Sequence, residues 1–351
     1  MDNCSVVDVF CGVGGLTHGF ILEGFDVPAG IDADESCRYA FETNNEGARF
    51  IHKKIEDLTA DEVLSLYPQG HRQILVGCAP CQPYSSYNKK RGKSDDKWRL
   101  LDEFGELICE VQPDIVSMEN VPDLISYKKG RIYKSFKEKL KRKGYSVVDH
   151  PELYCPNYGI PQHRTRLVMF ASKLGDIDII SPTHTPDQYR TVRETIGHME
   201  PIEAGGVSDI DLIHRTSSLS DLNLRRIRAS RPGGTWRDWD EELIAACHRK
   251  VSGDGYASVY GRMEWDVPAP TITTQFYGFG NGRFGHPEQD RAISLREGAL
   301  LQTFPEHYKF VEPQTPCYIK TLGRHIGNAV PVNLGRAIAR SIKHHLQNHS
   351  S

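Results

Sequence analysis

Ser5-Val6-Val7-Asp8-Val9-Phe10-Cys11-Gly12-Val13-Gly14-Gly15-Leu16 holds the first decision about the fold. The apolar run Ser5 to Phe10 predicts a buried strand. The glycines after it predict a tight turn where the backbone can approach a ligand closely. A helix is expected from near Leu16 to Gly24, then a second strand from Phe25 to Ile31 ending at Asp32. The spacing Gly12-x-Gly14-Gly15, with Gly19 further on, does not give the Gly-x-Gly-x-x-Gly of a dinucleotide site, which argues against a dehydrogenase. An acid closing the second strand is placed for ribose hydroxyls, so turn and acid together predict an adenosine-containing ligand at the strand ends. A tight turn followed by a helix N-cap aspartate is the reading without a ligand.

The same rhythm continues outward. Helices are expected at 36–43 and 100–111, and strands at 74–77, 114–119 and 166–171. Strands alternating with helices imply an α/β fold with a doubly wound, mostly parallel sheet. After about Ser172 glycine and proline become frequent and the rhythm is lost. Helical pattern returns at 294–302 and 332–346. The chain of 351 residues exceeds the usual single-domain size. The expected organisation is one domain of 1–172 plus 289–351 and a smaller one of 173–288. No apolar stretch reaches membrane-spanning length, and Met1-Asp2-Asn3-Cys4 has no signal-peptide character, so a cytoplasmic, non-membrane protein is expected. A net charge of -3 does not announce a nucleic-acid binder, because local patches matter more than totals. Two stretches are locally basic, Lys128 to Lys143 and Arg225 to Arg231; each reads equally as a solvated helix face.

The strand at 74–77 leads into Cys78-Ala79-Pro80-Cys81-Gln82-Pro83. Prolines on both sides of Cys81-Gln82 stiffen the loop, a good way to hold a nucleophilic thiol. Cys78 and Cys81 form a Cys-x-x-Cys, but no second cysteine or histidine pair completes a zinc site, so no metal is expected. Cys78 is expected to pack in the strand. Glu119, at the end of a neighbouring strand, makes a plausible proton donor beside Cys81. Arg164 and Arg166 alternate, so an extended chain puts them on one face.

These motifs, in this order, resemble the DNA cytosine-5 methyltransferases of bacterial modification type. Asp8 to Gly15 matches the cofactor turn, Pro80-Cys81-Gln82 the nucleophile motif, Glu119-Asn120-Val121 the acid motif and Gln162-x-Arg164-x-Arg166 the arginine motif. Arg296-Glu297 with Leu301-Gln302-x-Phe304-Pro305, and Gly327-Asn328-Ala329-Val330-Pro331, match the two motifs that follow the target-recognition region. The resemblance implies S-adenosylmethionine as methyl donor and double-stranded DNA as substrate. It implies a monomer working alongside a cognate restriction endonuclease.

Residue by residue, the resemblance implies that Cys81 attacks carbon 6 of a flipped-out cytosine, Glu119 protonates nitrogen 3, Arg166 contacts the base carbonyl and Arg164 organises the Cys81 loop. Phe10, Gly12, Gly14, Asp32, Ile55, Pro80, Leu100 and Asn328 would bind the donor. Two positions depart from the family pattern: Lys54 stands where an acid commonly receives the adenine amino group, and Ala33 where an aromatic ring commonly stacks. Ser85 and Lys89, on the polar basic loop after the nucleophile, would contact DNA. In the smaller domain Thr271, Arg262, Gln275 and Arg283 are the DNA candidates, because Gly- and Arg-rich loops can approach base edges. A tRNA-methylating branch would carry a Cys-Phe-Thr run, which is absent. A catalytically silent nucleic-acid binder would have no need of Cys81, Glu119, Arg164 and Arg166 together.

Overall fold

The computed structural model describes residues 3–80, 99–250 and 256–349. The chain forms two compact units: Met1–Tyr158 with Thr165–Pro182 and Val330–Ser351, and Gly159–Arg164 with Thr183–Ala329.

The first unit is a seven-stranded sheet with helices. In chain order it runs β1 (Cys4–Val9), α1 (Gly15–Leu22), β2 (Asp26–Asp32), α2 (Arg38–Asn44), β3 (Arg49–His52), α3 (Ala60–Leu64) and β4 (Arg72–Gly77). It continues with α4 (Arg99–Val111), β5 (Ile115–Asn120), α5 (Arg131–Arg142) and β6 (Ser146–Tyr154). After the short strand β7 (Gln162–His163) of the second unit comes β8 (Thr165–Ser172), back in the first. The sheet order is β3-β2-β1-β4-β5-β8-β6. The first five strands are parallel neighbours. Every residue of β5 is buried, as expected of a parallel strand covered on both faces. The strand predicted at 166–171 is present but runs antiparallel, inserted between β5 and β6. The apolar pattern of a strand buried on both faces carries no sign of its direction, so the sequence could not reveal this.

The second unit contains α6 (Val192–Ile196), α7 (Asp221–Ala229), β9 (Ala269–Pro270), α8 (Leu295–Leu301) and α9 (Ile319–Asn328). Ile227, Trp236, Trp239, Leu243, Val259, Phe279 and Ala292 form an aromatic-rich core. The two-residue strands β7 and β9 pair in parallel, Gln162 with Ala269 and His163 with Pro270. The segment 289–351, which carries α8 and α9, was expected in the first domain. By their contacts the two helices belong to the second unit, where the Phe276 ring presses on Gly298 and the Tyr277 ring on Gly323.

The chain ends with α10 (Val332–Asn348), which returns to the first unit and packs on α1. Two glycines set the spacing. A Cβ at Gly19 would fall 2.7 Å from backbone atoms of Val332, Gly335 and Arg336, and one at Gly335 would fall 2.9 Å from the Leu16 carbonyl. Arg336 and Arg340 reinforce the crossing through Glu23, at 2.7 and 3.0 Å. Among the described residues no helix is long and apolar enough to cross a membrane. Overpacked sites cost about 1–3 kcal/mol. Gly19→Ala is therefore expected to lower the urea midpoint of unfolding by a stability loss of about that size. An unchanged midpoint would show that the helices do not need this close approach.

Candidate active site

The parallel strands β1, β2, β4 and β5 all end on one edge of the sheet, where the turn after β1, Asp32 and Glu119 stand. Phe10 and Gly12 in the turn after β1 have positive φ values of 66° and 52°, and Gly14, which starts α1, has 88°. The N–H groups of Phe10 and Cys11 both donate to the Ile31 carbonyl, at 2.8 and 3.2 Å, so β2 holds the turn in place. Asp32 locks it from the side: its carboxylate accepts from the Gly12 N–H at 2.9 Å and from the Asp34 N–H at 2.8 Å. A carboxylate oxygen accepts more than one hydrogen bond, so these two do not exhaust what Asp32 can accept. A Cβ at Gly12 would meet nothing within 4 Å, which leaves open space above the turn. Ile55 is buried, and Phe10 and Leu100 pack against the same core. Glu56 and Asp57, next to the departing Lys54, are exposed in a short turn.

Asp8 was not among the predicted site residues. It is buried on β1 directly behind the turn. One oxygen accepts from the Thr17 hydroxyl at 2.7 Å; the other has no partner among the described residues. Burial pushes its carboxyl up to about 7, the Thr17 hydrogen bond opposes this, and the charge of Asp32 adds to it. The sequence signal was an acid inside an otherwise apolar strand.

Glu119 lies near the end of β5 and is 3% exposed. In the β5–β8 register it stands opposite Val168. Side chains two apart on a strand share a face, so Arg166 is its diagonal neighbour on that face. Arg166 Nε lies 2.9 Å from Glu119 Oε1. Its N–H is not aimed along that line, so Oε1 has no aligned donor among the described residues. Glu119 Oε2 accepts from the Cys78 thiol at 2.7 Å. Cys78 is thus a contact of the acid, and the expectation of plain strand packing is corrected: the first residue beyond β4 points across to β5. Asn120 joins the two strand ends, its amide donating to the Ala79 carbonyl at 3.0 Å. This fixes the root of the loop that Pro80 begins. Cys81, Ser85 and Lys89 lie outside the described residues.

The other members of the arginine motif belong to the second unit. Arg164 is buried and donates to the Ile272 carbonyl at 3.2 Å. Gln162 is an internal brace: it donates to the Leu301 carbonyl and Gln302 Oε1, and accepts from the Ile272 N–H. Gln302 in turn donates to the carbonyls of Ile326 and Ala329. Asn328 is the exposed last residue of α9.

The chain is similar to known proteins in sequence and in fold. The family model for C-5 cytosine-specific DNA methylase spans residues 4–344. The chain belongs to that family. A relative described as Type II methylase M.HgiDII, from Herpetosiphon aurantiacus, is 59% identical over 98% of this chain and 96% of its own. Type II methyltransferase M1.HphI from Haemophilus parahaemolyticus is 29% identical over 96% and 86%. A solved structure of a prophage-encoded Escherichia coli protein, assigned as a DNA modification methyltransferase, has a TM-score of 0.75. It covers 98% of this chain and 99% of that one at 21% identity, which establishes a shared fold.

In this methylase the DNA candidates of the second unit fare unequally. Arg262 is corrected: it is buried and ion-paired with Asp290. Its guanidinium donates to the carbonyls of Ile227, Ser230, His286 and Gln289. Gly-rich loops offer many bare carbonyls, and one arginine with five donors satisfies them. Arg283 is half-buried and donates to the Gly234 carbonyl at 2.6 Å, and the Thr271 hydroxyl donates to the His163 carbonyl at 2.7 Å. Gln275 is exposed.

Asp8 gives the methylase a pH signature. Its folded-state pKa is raised, so its contribution to stability is full below about 4, the ordinary carboxylate value, and is lost as pH rises through about 7. Asp8→Asn can still accept from Thr17 but does not titrate. The stability of this variant relative to wild type should rise between pH 4 and 7 and level off above, read as the difference in melting temperature at each pH. A difference independent of pH would show that Asp8 ionises normally in the fold.

Proposed function

We propose that this methylase transfers a methyl group from S-adenosylmethionine to carbon 5 of one cytosine in a specific duplex DNA sequence, through a transient bond to Cys81. The observation that carries the reading is Glu119: a carboxyl buried at the strand edge, with one oxygen on the Cys78 thiol and the other beside Arg166 without an aligned donor among the described residues. An unsatisfied buried acceptor is costly unless a partner arrives. The amino group and ring nitrogen of a cytosine supply such partners. Asn120 supports the reading further, since it ties the root of the Cys81 loop to the strand that carries Glu119.

The residues at the turn fit the donor. The open space over Gly12 suits the amino-acid portion, Asp32 the ribose, and Phe10, Ile55 and Leu100 an apolar wall for the adenine; Pro80 and Asn328 complete the proposed set. When bound, S-adenosylmethionine supplies an electrophilic methyl group on a sulfonium. Carbon 5 of cytosine is too weak a nucleophile to take it in the intact ring. Attack of the Cys81 thiolate on carbon 6, with a proton passing from Glu119 to nitrogen 3, turns carbon 5 into an enamine carbon. Arg166 holds the base carbonyl and Arg164 steadies the Cys81 loop. After methylation the nitrogen 3 proton returns to Glu119, a base removes the carbon 5 proton, the electrons of that bond restore the 5,6 double bond as the carbon–sulfur bond breaks, and Cys81 leaves as thiolate. The target base must leave the duplex to reach Glu119. The second unit is the proposed target-recognition domain, with Gln275 and Arg283 its remaining candidates for contact with bases. The 59% identical relative named a Type II methylase supports a modification role beside a restriction endonuclease.

Duplex DNA and tRNA, each incubated with methyl-labelled donor, test the substrate, and bisulfite sequencing of DNA from an expressing host locates the cytosine. Label in DNA as 5-methylcytosine is expected. Cys81→Ser should lose at least about a thousandfold in methyl transfer while still binding DNA; full transfer by that variant would sink the covalent step. One hydrogen bond contributes about 0.5–1.5 kcal/mol, or about 2- to 13-fold. Cys78→Ala, which removes the thiol donor to Glu119, should lower kcat within that range at unchanged KM for DNA, and Cys78→Ser should recover most of it. Equal kcat in wild type and both variants would exclude a role for this thiol.

A further inference from the structure

The basic stretch 128–143 is cut into three parts by the fold. Helix α5 starts at the sheet edge that carries Glu119 and descends to the opposite edge, where Ser146 opens β6 opposite Ser172, itself opposite Ile115 at the start of β5. Its 12 residues span about 18 Å. Lys141, Arg142 and Lys143 therefore lie at the edge away from Glu119. The lysines between are neutralised: Lys134 by Glu138, Lys137 by Asp149, and Lys139 by Asp102 and Glu106. Only the head of the stretch, Lys128-Lys129-Gly130-Arg131, stands at the Glu119 edge.

That head is built against backbone preference. Lys128 (φ 46°, ψ 42°) and Lys129 (φ 60°, ψ 34°) are both left-handed, followed by Gly130 at φ 77°. A left-handed conformation costs a non-glycine residue about 1–2 kcal/mol, so glycine or asparagine would serve the turn better if shape alone mattered. Strain of this kind collects at ligand clamps. Lys129 and Arg131 are exposed, and neither has an ion pair among the described residues. The stretch 225–231 is different: Arg225, Arg228 and Arg231 are paired with Glu242, Asp290 and Asp238.

We infer that Lys129 and Arg131 form a phosphate clamp that grips the DNA backbone flanking the flipped cytosine, independent of sequence. The inference rests on the proposed delivery of the base to Glu119, since the phosphates next to that base must then pass over this edge.

Each phosphate contact adds about 0.9 to the slope of log affinity against log salt. For the full-length protein and a duplex containing its site, the Lys129→Ala/Arg131→Ala double variant should flatten that slope by about two. Its kcat at saturating DNA should stay within about twofold of wild type, and the charge-keeping Lys129→Arg/Arg131→Lys variant should restore the slope. Lys129→Gly separates clamp from scaffold: it should raise the melting temperature by relieving strain and flatten the slope by about one. An unchanged slope in the double variant overturns the clamp, as does a Lys129→Gly variant that gains stability with an unchanged slope. Glu119→Gln keeps the two readings apart: if it methylates DNA at the wild-type rate, the proposed base pocket fails, and if it is inactive while the double variant keeps the wild-type slope, the clamp alone fails.

Discussion

The register between β5 and β8 is the constraint on which the proposed catalytic edge depends. Glu119 opposite Val168 puts Arg166 on the same face, one diagonal step away. A slip of one residue would turn Arg166 to the other face and leave Glu119 buried without a cation. The same ladder sets Asn120 opposite Leu167 at the end of β5, from where its amide reaches the Ala79 carbonyl. Glu119, Arg166 and the Asn120–Ala79 tie beside Pro80 are thus positioned by one antiparallel pairing at the margin of a parallel sheet. Interaction of β8 with β6 on its other side keeps that pairing from being an edge that could slide.

The parallel half of this arrangement was legible in the sequence. The run Ser5 to Phe10 followed by glycines, the acid at Asp32 and the apolar run before Pro80 each announce a strand end through composition alone. The antiparallel half was not, because Arg166 to Ala171 reads the same in either direction. The compact units divide the chain differently from the expected domains for a related reason. Leu295–Leu301 has good helical pattern, but pattern does not name the partner, and the partners are Phe276, Arg215 and Asp211 in the second unit. Family resemblance pointed to Glu119, Arg164 and Arg166 by motif; it could not foresee that Cys78, a side chain at no quoted motif position, touches the acid.

Arg262 illustrates what a residue type cannot say about its own role. An arginine among glycines and tyrosines suits a groove of DNA and suits the inside of a loop-rich domain equally well. What decides is where its five donors go. Here they are spent on backbone carbonyls and Asp290, in a region with few strands or helices to satisfy those carbonyls otherwise. The structure of the loops that could meet DNA is held from within by this side chain, so its influence on recognition is indirect.

Buried charge by itself does not mark an active site, and this protein contains its own control. Glu297 is fully buried, and it is a brace: Arg291 gives it two hydrogen bonds at 2.8 and 2.7 Å, and the Ser294 N–H caps it as α8 begins. Both oxygens are satisfied, and these partners hold its carboxyl below the ordinary range in spite of burial. Glu119 and Asp8 are just as sheltered, yet each keeps one oxygen without an aligned donor among the described residues. A guanidinium and a backbone N–H are enough to satisfy such a carboxylate, as at Glu297. The two acids left incomplete stand one at the proposed base pocket and one behind the proposed donor turn. An oxygen without an aligned donor among the described residues, more than burial or charge, is what sets the two acids of the proposed sites apart from the brace at Glu297.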